Sequence, residues 1–163
     1  MPIYYPTDPE IKALTGVNFF HVNNSNCSER VFIALEEKKI PWKDCFVSLF
    51  GKENLTDYYL QINPKGLVPA IVHDGVAVAD SKDVLYYLEE HFPEPALMPN
   101  EPGDADKVRS WVDLASDAHI RTTKTYVYAY KGWSTKSAED MVRYREIQPD
   151  KELLDFHETV YSC

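Results

Sequence analysis

Cysteine is scarce in this sequence, and so are the patterns that cysteine and histidine form around metals. Of 163 residues only three are cysteines: Cys27, Cys45 and Cys163. An odd number without regular spacing does not build the disulfide framework of a small secreted domain. No CxxC pair is present and the five histidines lack metal-ligand spacing, so we expect no metal site. This cysteine usage predicts a reducing, cytoplasmic location.

Long apolar runs and clusters of positive charge are also missing. No stretch approaches the roughly 18 consecutive apolar residues of a membrane-spanning helix, and residues 1–16 lack the basic start and apolar run of a signal peptide. The formal net charge is −9 at pH 7, and no run of Lys or Arg forms a basic patch. Because such a chain repels phosphate backbones and anionic lipids, we expect neither nucleic acid nor a membrane as its partner.

The composition is that of a globular protein, with 44% hydrophobic and 26% charged residues. Its first part alternates between strand and helix patterns. Residues 17–22 predict a buried strand, and the cap-rich stretch around Ser25 starts a helix that Pro41 ends. A second strand is predicted over residues 44–49, followed by a short helix that ends before Pro64.

The clearest local pattern is a β-hairpin over residues 67–79. Two apolar runs flank the pair Asp74-Gly75, which is a preferred hairpin turn. Pro69 lies in the first arm, and proline cannot donate a ladder hydrogen bond. We therefore expect Pro69 at the start or edge of a strand, where it is a candidate for a cis peptide bond.

Helical patterns dominate the rest of the chain. Ser81 starts a helix that Pro93 ends, and residues 93–103, with four prolines and a glycine, predict a linker. A long helix follows from Asp104, then a tyrosine-rich stretch, a polar segment, and a last helical piece from Asp150 to about Val160. The expected organisation is an N-terminal arm, a first domain, a linker and a helical domain, over residues 1–16, 17–92, 93–103 and 104–163.

The order βαβαββα followed by helices resembles the glutathione S-transferase family. Residues 25–34 resemble the zeta-class helix start S-S-C-x-x-R-V-x-I-A, and residues 63–69 the segment N-P-x-G-x-V-P. Asp80-Ser81 stands where the family has Glu-Ser or Asp-Ser. The resemblance implies an α/β thioredoxin-like domain with a mixed four-stranded sheet, then an incomplete all-α C-terminal-type domain. That helical part resembles bacterial glutathione-dependent β-etherases.

The resemblance implies glutathione as co-substrate and a residue that activates its thiol. Ser25 is the first choice because it stands five residues before Arg30, as the serine does in the zeta pattern. Ser28 is the second choice, since it fits the register of the etherase relatives. Cys27 is the third, and a cysteine there would form a mixed disulfide with glutathione, which is reductase chemistry. By residue type alone, helix capping and core packing explain these three residues better than catalysis does, and the surrounding motifs reverse that preference for Ser25.

The same resemblance assigns residues that hold glutathione. Val68 and Pro69 would present backbone groups to its cysteinyl part, as an added strand does. Asp80 and Ser81 start a helix whose free N–H groups would accept the γ-glutamyl carboxylate. Lys52 would reach the glycyl carboxylate. Helix capping, a tight turn and a solvated lysine are the structural alternatives.

The second substrate would be a small, aromatic electrophile lying against Tyr126, Tyr130 and Trp133. Aryl-ether cleavage and isomerisation are the reactions that the resemblance suggests. Two alternatives remain open: a glutathione thiol transferase that depends on Cys27, and a non-catalytic interaction module of the same fold. The family also implies a homodimer.

Overall fold

The computed structural model describes residues 1–119, 137–148 and 150–161. The chain divides into two compact units, Met1–Pro102 and Gly103–Cys163. Among the described residues no helix has the length and apolar character needed to cross a lipid bilayer.

The first unit is built on one five-stranded mixed sheet. Its strands are β1 (Ile3–Tyr4), β2 (Val17–His21), β3 (Trp42–Phe46), β4 (Ala70–His73) and β5 (Val76–Ala79), in the spatial order β1-β5-β4-β2-β3. Only β2 and β3 pair in parallel. A parallel pair needs a crossover connection, and the chain supplies it as helix α2 (Asn26–Glu37).

Four helices belong to this unit, and they cover both faces of the sheet. Besides α2 they are α1 (Pro9–Lys12), α3 (Asp57–Ile62), which follows a 3₁₀ turn at Glu53–Leu55, and α4 (Ser81–His91). Alternate strand residues face opposite sides: Phe19 packs with α2 and α4, whereas Phe20 packs with α3. The thioredoxin-like arrangement predicted from the element order is thereby confirmed.

The first sixteen residues do more than the arm that the sequence suggested. Ile3 and Tyr4 pair with Val78 and Ala77 of β5, so the predicted four-stranded sheet has a fifth strand. Asp8 caps α1 by accepting from the Glu10 amide at 2.8 Å. A two-residue strand between prolines is too short to show a periodic pattern, and only its pairing reveals it.

Strand β3 lies two to three residues earlier than predicted. The apolar run at 44–49 suggested the strand, but pairing with β2 sets its limits, because Val17 lies opposite Trp42 and His21 opposite Phe46. The pairing therefore overrides the hydrophobic pattern.

The second unit contains α5 (Pro102–Ala118, which starts at the unit boundary), α6 (Ala138–Ile147) and α7 (Lys151–Tyr161). Helix α6 falls inside the segment that was predicted to be merely polar. Met141 and Tyr144, one turn apart, are its buried residues. Two buried side chains are a weak hydrophobic signal, which explains why the sequence pattern missed this helix.

Candidate functional site

Three connections meet at one edge of the sheet in the first unit, namely the edge formed by the strand ends where β2 and β5 finish and β4 begins. Strand β2 runs out of this edge into α2, β5 runs out into α4, and β4 enters from the loop before it. Phe20 lies opposite Ala70, and Ala70 lies opposite Ala79. The amino ends of α2 and α4 therefore lie beside the loop that leads to β4, and this edge is the place to look for a site.

Ser25 caps α2 at this edge. Its backbone is extended, with φ −94° and ψ 114°, and its hydroxyl oxygen accepts a hydrogen bond from the Ser28 amide at 3.3 Å. The residue is half-buried. A serine hydroxyl that accepts one hydrogen bond still carries its own proton to donate, so Ser25 combines a donor with a helix N-terminus.

Ser28 and Cys27, the other two residues predicted at this helix start, differ in exposure. Ser28 is 2% exposed, and its buried hydroxyl has no hydrogen-bond partner among the described residues. Cys27 is half-buried in the first turn, with a free thiol. Of the three groups, the Ser28 hydroxyl is the one that solvent does not reach.

The loop before β4 offers unpaired backbone groups. The Val68–Pro69 peptide bond is cis, as the sequence suggested. Val68 is half-buried, and neither its amide nor its carbonyl hydrogen-bonds to any residue that the structure describes. Unpaired N–H and C=O groups on one residue are what an extended peptide needs to dock.

The start of α4 is tied to both neighbouring segments. Arg30 of α2 donates to the Ser81 hydroxyl at 3.4 Å. Lys65 of the loop contacts the Asp80 carboxylate at 3.2 Å. Asp80 has a φ of +70° and makes no side-chain cap to the helix. The first amides of α4 thus remain without a cap from that side chain, which suits an anionic ligand.

Lys52 lies at the margin of this arrangement. Its φ is +61°, and it immediately precedes the 3₁₀ turn. The turn reaches the loop through Asn54, whose side-chain amide donates to the Gly66 carbonyl at 2.8 Å. Tyr126, Tyr130 and Trp133, predicted to line the second substrate, lie outside the described residues.

The sequence motifs gave no role to several side chains that hold this edge. Arg30, Asn63 and Lys65 lie within the matching segments 25–34 and 63–69, but they were given no role there, and Tyr59 was given none either. Arg30 and Lys65 bond to Ser81 and Asp80, which are 51 and 15 residues away in the sequence, and such pairs leave no local pattern. Among the described residues no group of three or more His, Cys, Asp or Glu is placed to hold a metal ion.

Comparison with known proteins relates this site to a known family. Residues 24–91 match the family described as Glutathione S-transferase, N-terminal domain. Glutathione S-transferase 1 of Dianthus caryophyllus is 44% identical over 77 residues, which are 47% of this chain and 35% of that protein. A zeta-class glutathione S-transferase of Euphorbia esula is 37% identical over 94 residues, 58% of this chain and 39% of that protein.

Solved structures extend the likeness to the fold. β-Etherase LigF from Sphingobium sp. strain SYK-6 superposes with a TM-score of 0.68 at 23% identity, covering 90% of this chain and 69% of that one. At that identity the likeness is one of fold. The chain spans less than two fifths of the length of the two curated relatives named above. Residues 24–91 include the loop with the cis proline and the two helix starts described above, and over this part the chain is similar to a glutathione S-transferase N-terminal domain.

Proposed function

We propose that this protein binds glutathione and activates its thiol for attack on a small aromatic electrophile. The observation that carries the proposal is the pair of unbonded backbone groups on Val68, next to the amino ends of two helices. A tripeptide can add there as a short strand, because an extended peptide pairs with the N–H donor and the C=O acceptor of one residue. The family match of residues 24–91 supports glutathione as that peptide.

Each charged group of glutathione has a proposed partner in the chain, either of opposite charge or able to form a hydrogen bond with it. Its γ-glutamyl carboxylate would lie at the N-terminus of α4, against the first amides of the helix and the Ser81 hydroxyl, where the helix dipole favours an anion. Asp80 would meet the α-amino group. Lys52 would pair with the glycyl carboxylate. The cysteinyl part in between would bond to Val68 and lie against Pro69.

Ser25 is the residue we propose to activate the thiol. A two-unit drop in the thiol pKa requires about 2.7 kcal/mol of preferential stabilisation of the thiolate. A hydroxyl hydrogen bond to a charged acceptor contributes roughly 1.5–3 kcal/mol, and a helix N-terminus about 0.3–1 kcal/mol more. Ser25 offers both, since its hydroxyl accepts from α2 and retains its proton.

The second substrate is proposed from the relatives rather than from side-chain geometry. One relative is a zeta-class transferase, and a structural neighbour is a β-etherase. An aryl ether therefore fits the proposal, and a small electrophile that undergoes isomerisation is its variant. Tyr126, Tyr130 and Trp133 are the residues proposed to line its site.

Calorimetric titration with glutathione tests the binding step. We expect binding in the millimolar range or tighter by the protein as it stands. If no heat of binding is found at millimolar glutathione, the transferase proposal fails and a non-catalytic module of this fold takes its place.

Replacement of serines tests the activation step. In Ser25→Ala the pKa of bound glutathione, followed by the ultraviolet absorbance of the thiolate, should rise by about one to two units, because a donor to a charged acceptor is lost. Ser28→Ala is the matched control, since its hydroxyl is enclosed, and it should leave that pKa within a few tenths of the parent value. Equal effects of the two replacements would contradict the assignment.

A second function is favoured by one observation, the free and partly exposed thiol of Cys27 in the first turn of α2. As a thiolate it would attack a glutathione mixed disulfide, form a new disulfide with the glutathionyl sulfur, and release the other sulfur as a thiolate. Cys27→Ala should abolish reduction of such a disulfide while leaving transfer to an aromatic electrophile intact. Loss of transfer as well would favour Cys27 over Ser25 as the central residue.

A further inference from the structure

Two buried side chains converge on one carbonyl oxygen in the loop before β4. The Tyr59 hydroxyl and the Asn63 side-chain amide each donate to the Leu67 carbonyl, both at 2.7 Å. Tyr59 is 2% exposed and Asn63 is fully buried. A carbonyl oxygen has two lone pairs, so this one is saturated by donors on the core side.

The saturated carbonyl belongs to the same peptide group as the Val68 amide. A peptide group is planar, and in a trans unit the C=O and the N–H point in opposite directions. The Leu67–Val68 bond is not among the cis bonds of the first unit. Because the two donors hold the oxygen toward the core, they turn the Val68 N–H away from the core.

Neighbouring peptide groups of the loop are fixed in a similar way. Asn54, which is 4% exposed, donates to the Gly66 carbonyl at 2.8 Å. Asn63 also accepts from the Lys65 amide at 3.1 Å, and its own carbonyl accepts from the Gly66 amide at 2.9 Å. A side chain at Gly66 would meet the Asn54 backbone oxygen at 3.1 Å. These buried contacts therefore fix the conformation of the loop without a bound ligand.

We propose that Tyr59 and Asn63 are positioning residues for glutathione, which orient and polarise the Val68 amide that receives the cysteinyl part. This inference rests on the proposed function. Neither side chain touches glutathione; both act through the Leu67 carbonyl. A carbonyl that accepts two hydrogen bonds makes the N–H of its own peptide group a stronger donor, and an amide that is already aimed loses less freedom on binding.

The chemistry of Tyr59 suits a permanent donor. Burial, with a smaller contribution from the Asp80 carboxylate, raises the pKa of Tyr59 far above its ordinary value. The phenol therefore stays protonated at any pH used for an assay and keeps donating to the Leu67 carbonyl. Its ring also packs edge-on against Phe20, with centroids 6.1 Å apart, so the ring anchors the hydroxyl.

Tyr59→Phe is the sharpest test, because it removes one oxygen and keeps the ring. We expect the Kd and KM for glutathione to rise about threefold to tenfold, the loss expected for one neutral hydrogen bond. The KM for the electrophile and kcat at saturating glutathione should stay within a factor of two. Tyr58→Phe is the matched control, since it deletes the neighbouring phenol, for which no bond to the Leu67 carbonyl is found.

The Val68 amide itself gives a readout that a merely structural role would not move. In the parent protein its nuclear magnetic resonance signal should shift on addition of glutathione, and in Tyr59→Phe and Asn63→Ala the shift at saturation should shrink. Circular dichroism and urea unfolding establish that each variant is folded at the temperature used.

The outcomes distinguish failure of the proposed function from failure of the positioning inference. If the parent protein does not bind glutathione, the proposed function fails. If the parent protein binds, but folded Tyr59→Phe binds glutathione as tightly as Tyr58→Phe with an unchanged Val68 shift, the positioning inference is overturned and the two donors serve stability alone.

Discussion

One buried charge, the Lys38 ammonium, holds the start of the segment that follows α4. The side chain of Lys38 is 1% exposed; its ammonium contacts the Glu89 carboxylate at 2.7 Å and donates to the carbonyls of Phe92 and Pro95 at 2.7 and 3.0 Å. Glu89 in turn accepts from the Met98 amide at 3.0 Å. A buried ammonium needs this full set of partners, because an unpaired one would not be tolerated. The proline-rich segment is thereby folded back onto two helices.

This pair makes stability depend on acid. Burial alone would raise the pKa of Glu89, but its bonds to Lys38 and to the Met98 and Leu97 amides outweigh burial, and the net effect lowers that pKa. A carboxyl with a lowered folded-state pKa contributes stability above its ordinary pKa and loses it as the pH falls through the lowered value. The thermal unfolding temperature of the parent protein should therefore fall as the pH drops below about 4.5.

Glu89→Gln separates this contribution from general acid effects. At neutral pH the variant should lose about 2–4 kcal/mol of unfolding free energy, since Lys38 is left buried without its counter-charge. Its loss of stability on acidification should be smaller than in the parent protein. Asp104→Asn is the control, because the Asp104–Lys107 pair is exposed, at 58% and 75%, and its removal should cost less than about 0.5 kcal/mol. Equal losses in both variants would contradict a special role for the buried pair.

At the scale of elements, helix α6 shows how a cap compensates for a weak hydrophobic face. Ser137 and Asp140 form a reciprocal capping box: the Asp140 amide donates to the Ser137 hydroxyl at 3.2 Å, and the Ser137 amide donates to the Asp140 carboxylate at 2.6 Å. Only Met141 and Tyr144 are buried in this helix. The local signal Ser-x-x-Asp is thus a better predictor of α6 than its periodicity.

Loss of that cap should be measurable. Ser137→Ala should lower the unfolding free energy of the second unit by about 1 kcal/mol, because two amides lose their acceptors or their orientation. Ser110→Ala in α5 is the matched control: its exposed hydroxyl donates back to the Asp106 carbonyl at 2.9 Å, and alanine there should be neutral or slightly stabilising. Urea unfolding followed by helical circular dichroism checks both. Indistinguishable midpoints for the two variants would contradict the importance of the box.

At the scale of the whole molecule, local patterns predicted the fold of the first unit well. The hairpin with Asp74-Gly75, the cap at Ser25 and the helix at Ser81 all lie where the sequence placed them. Each depends on turn or cap chemistry within a few residues. The family resemblance of residues 25–34 and 63–69 is likewise confirmed by the match over residues 24–91.

What local patterns did not predict depends on distant partners. Strand β1 exists because Ile3 pairs with Val78, and the limits of β3 depend on its pairing with β2. Part of the support of the candidate site is of the same kind, since Arg30 and Ser81, which are joined by a hydrogen bond, are 51 residues apart in the sequence. The glutathione and substrate roles of the predicted site residues remain predictions.

The short strand β1 also has a consequence for association. A sheet edge is a row of free donors and acceptors on which another strand can assemble, and Ile3–Tyr4 covers one of the two edges that this sheet would otherwise have. The sheet then ends in β1, which is two residues long, on one side and in β3, which is five residues long, on the other, so β3 is the longer flank for an incoming strand. That flank carries Lys43 and Asp44, both exposed, and charges of this kind discourage fibril-like stacking. A very short outer strand on one side and charged residues on the other thus both disfavour the joining of sheets from two molecules.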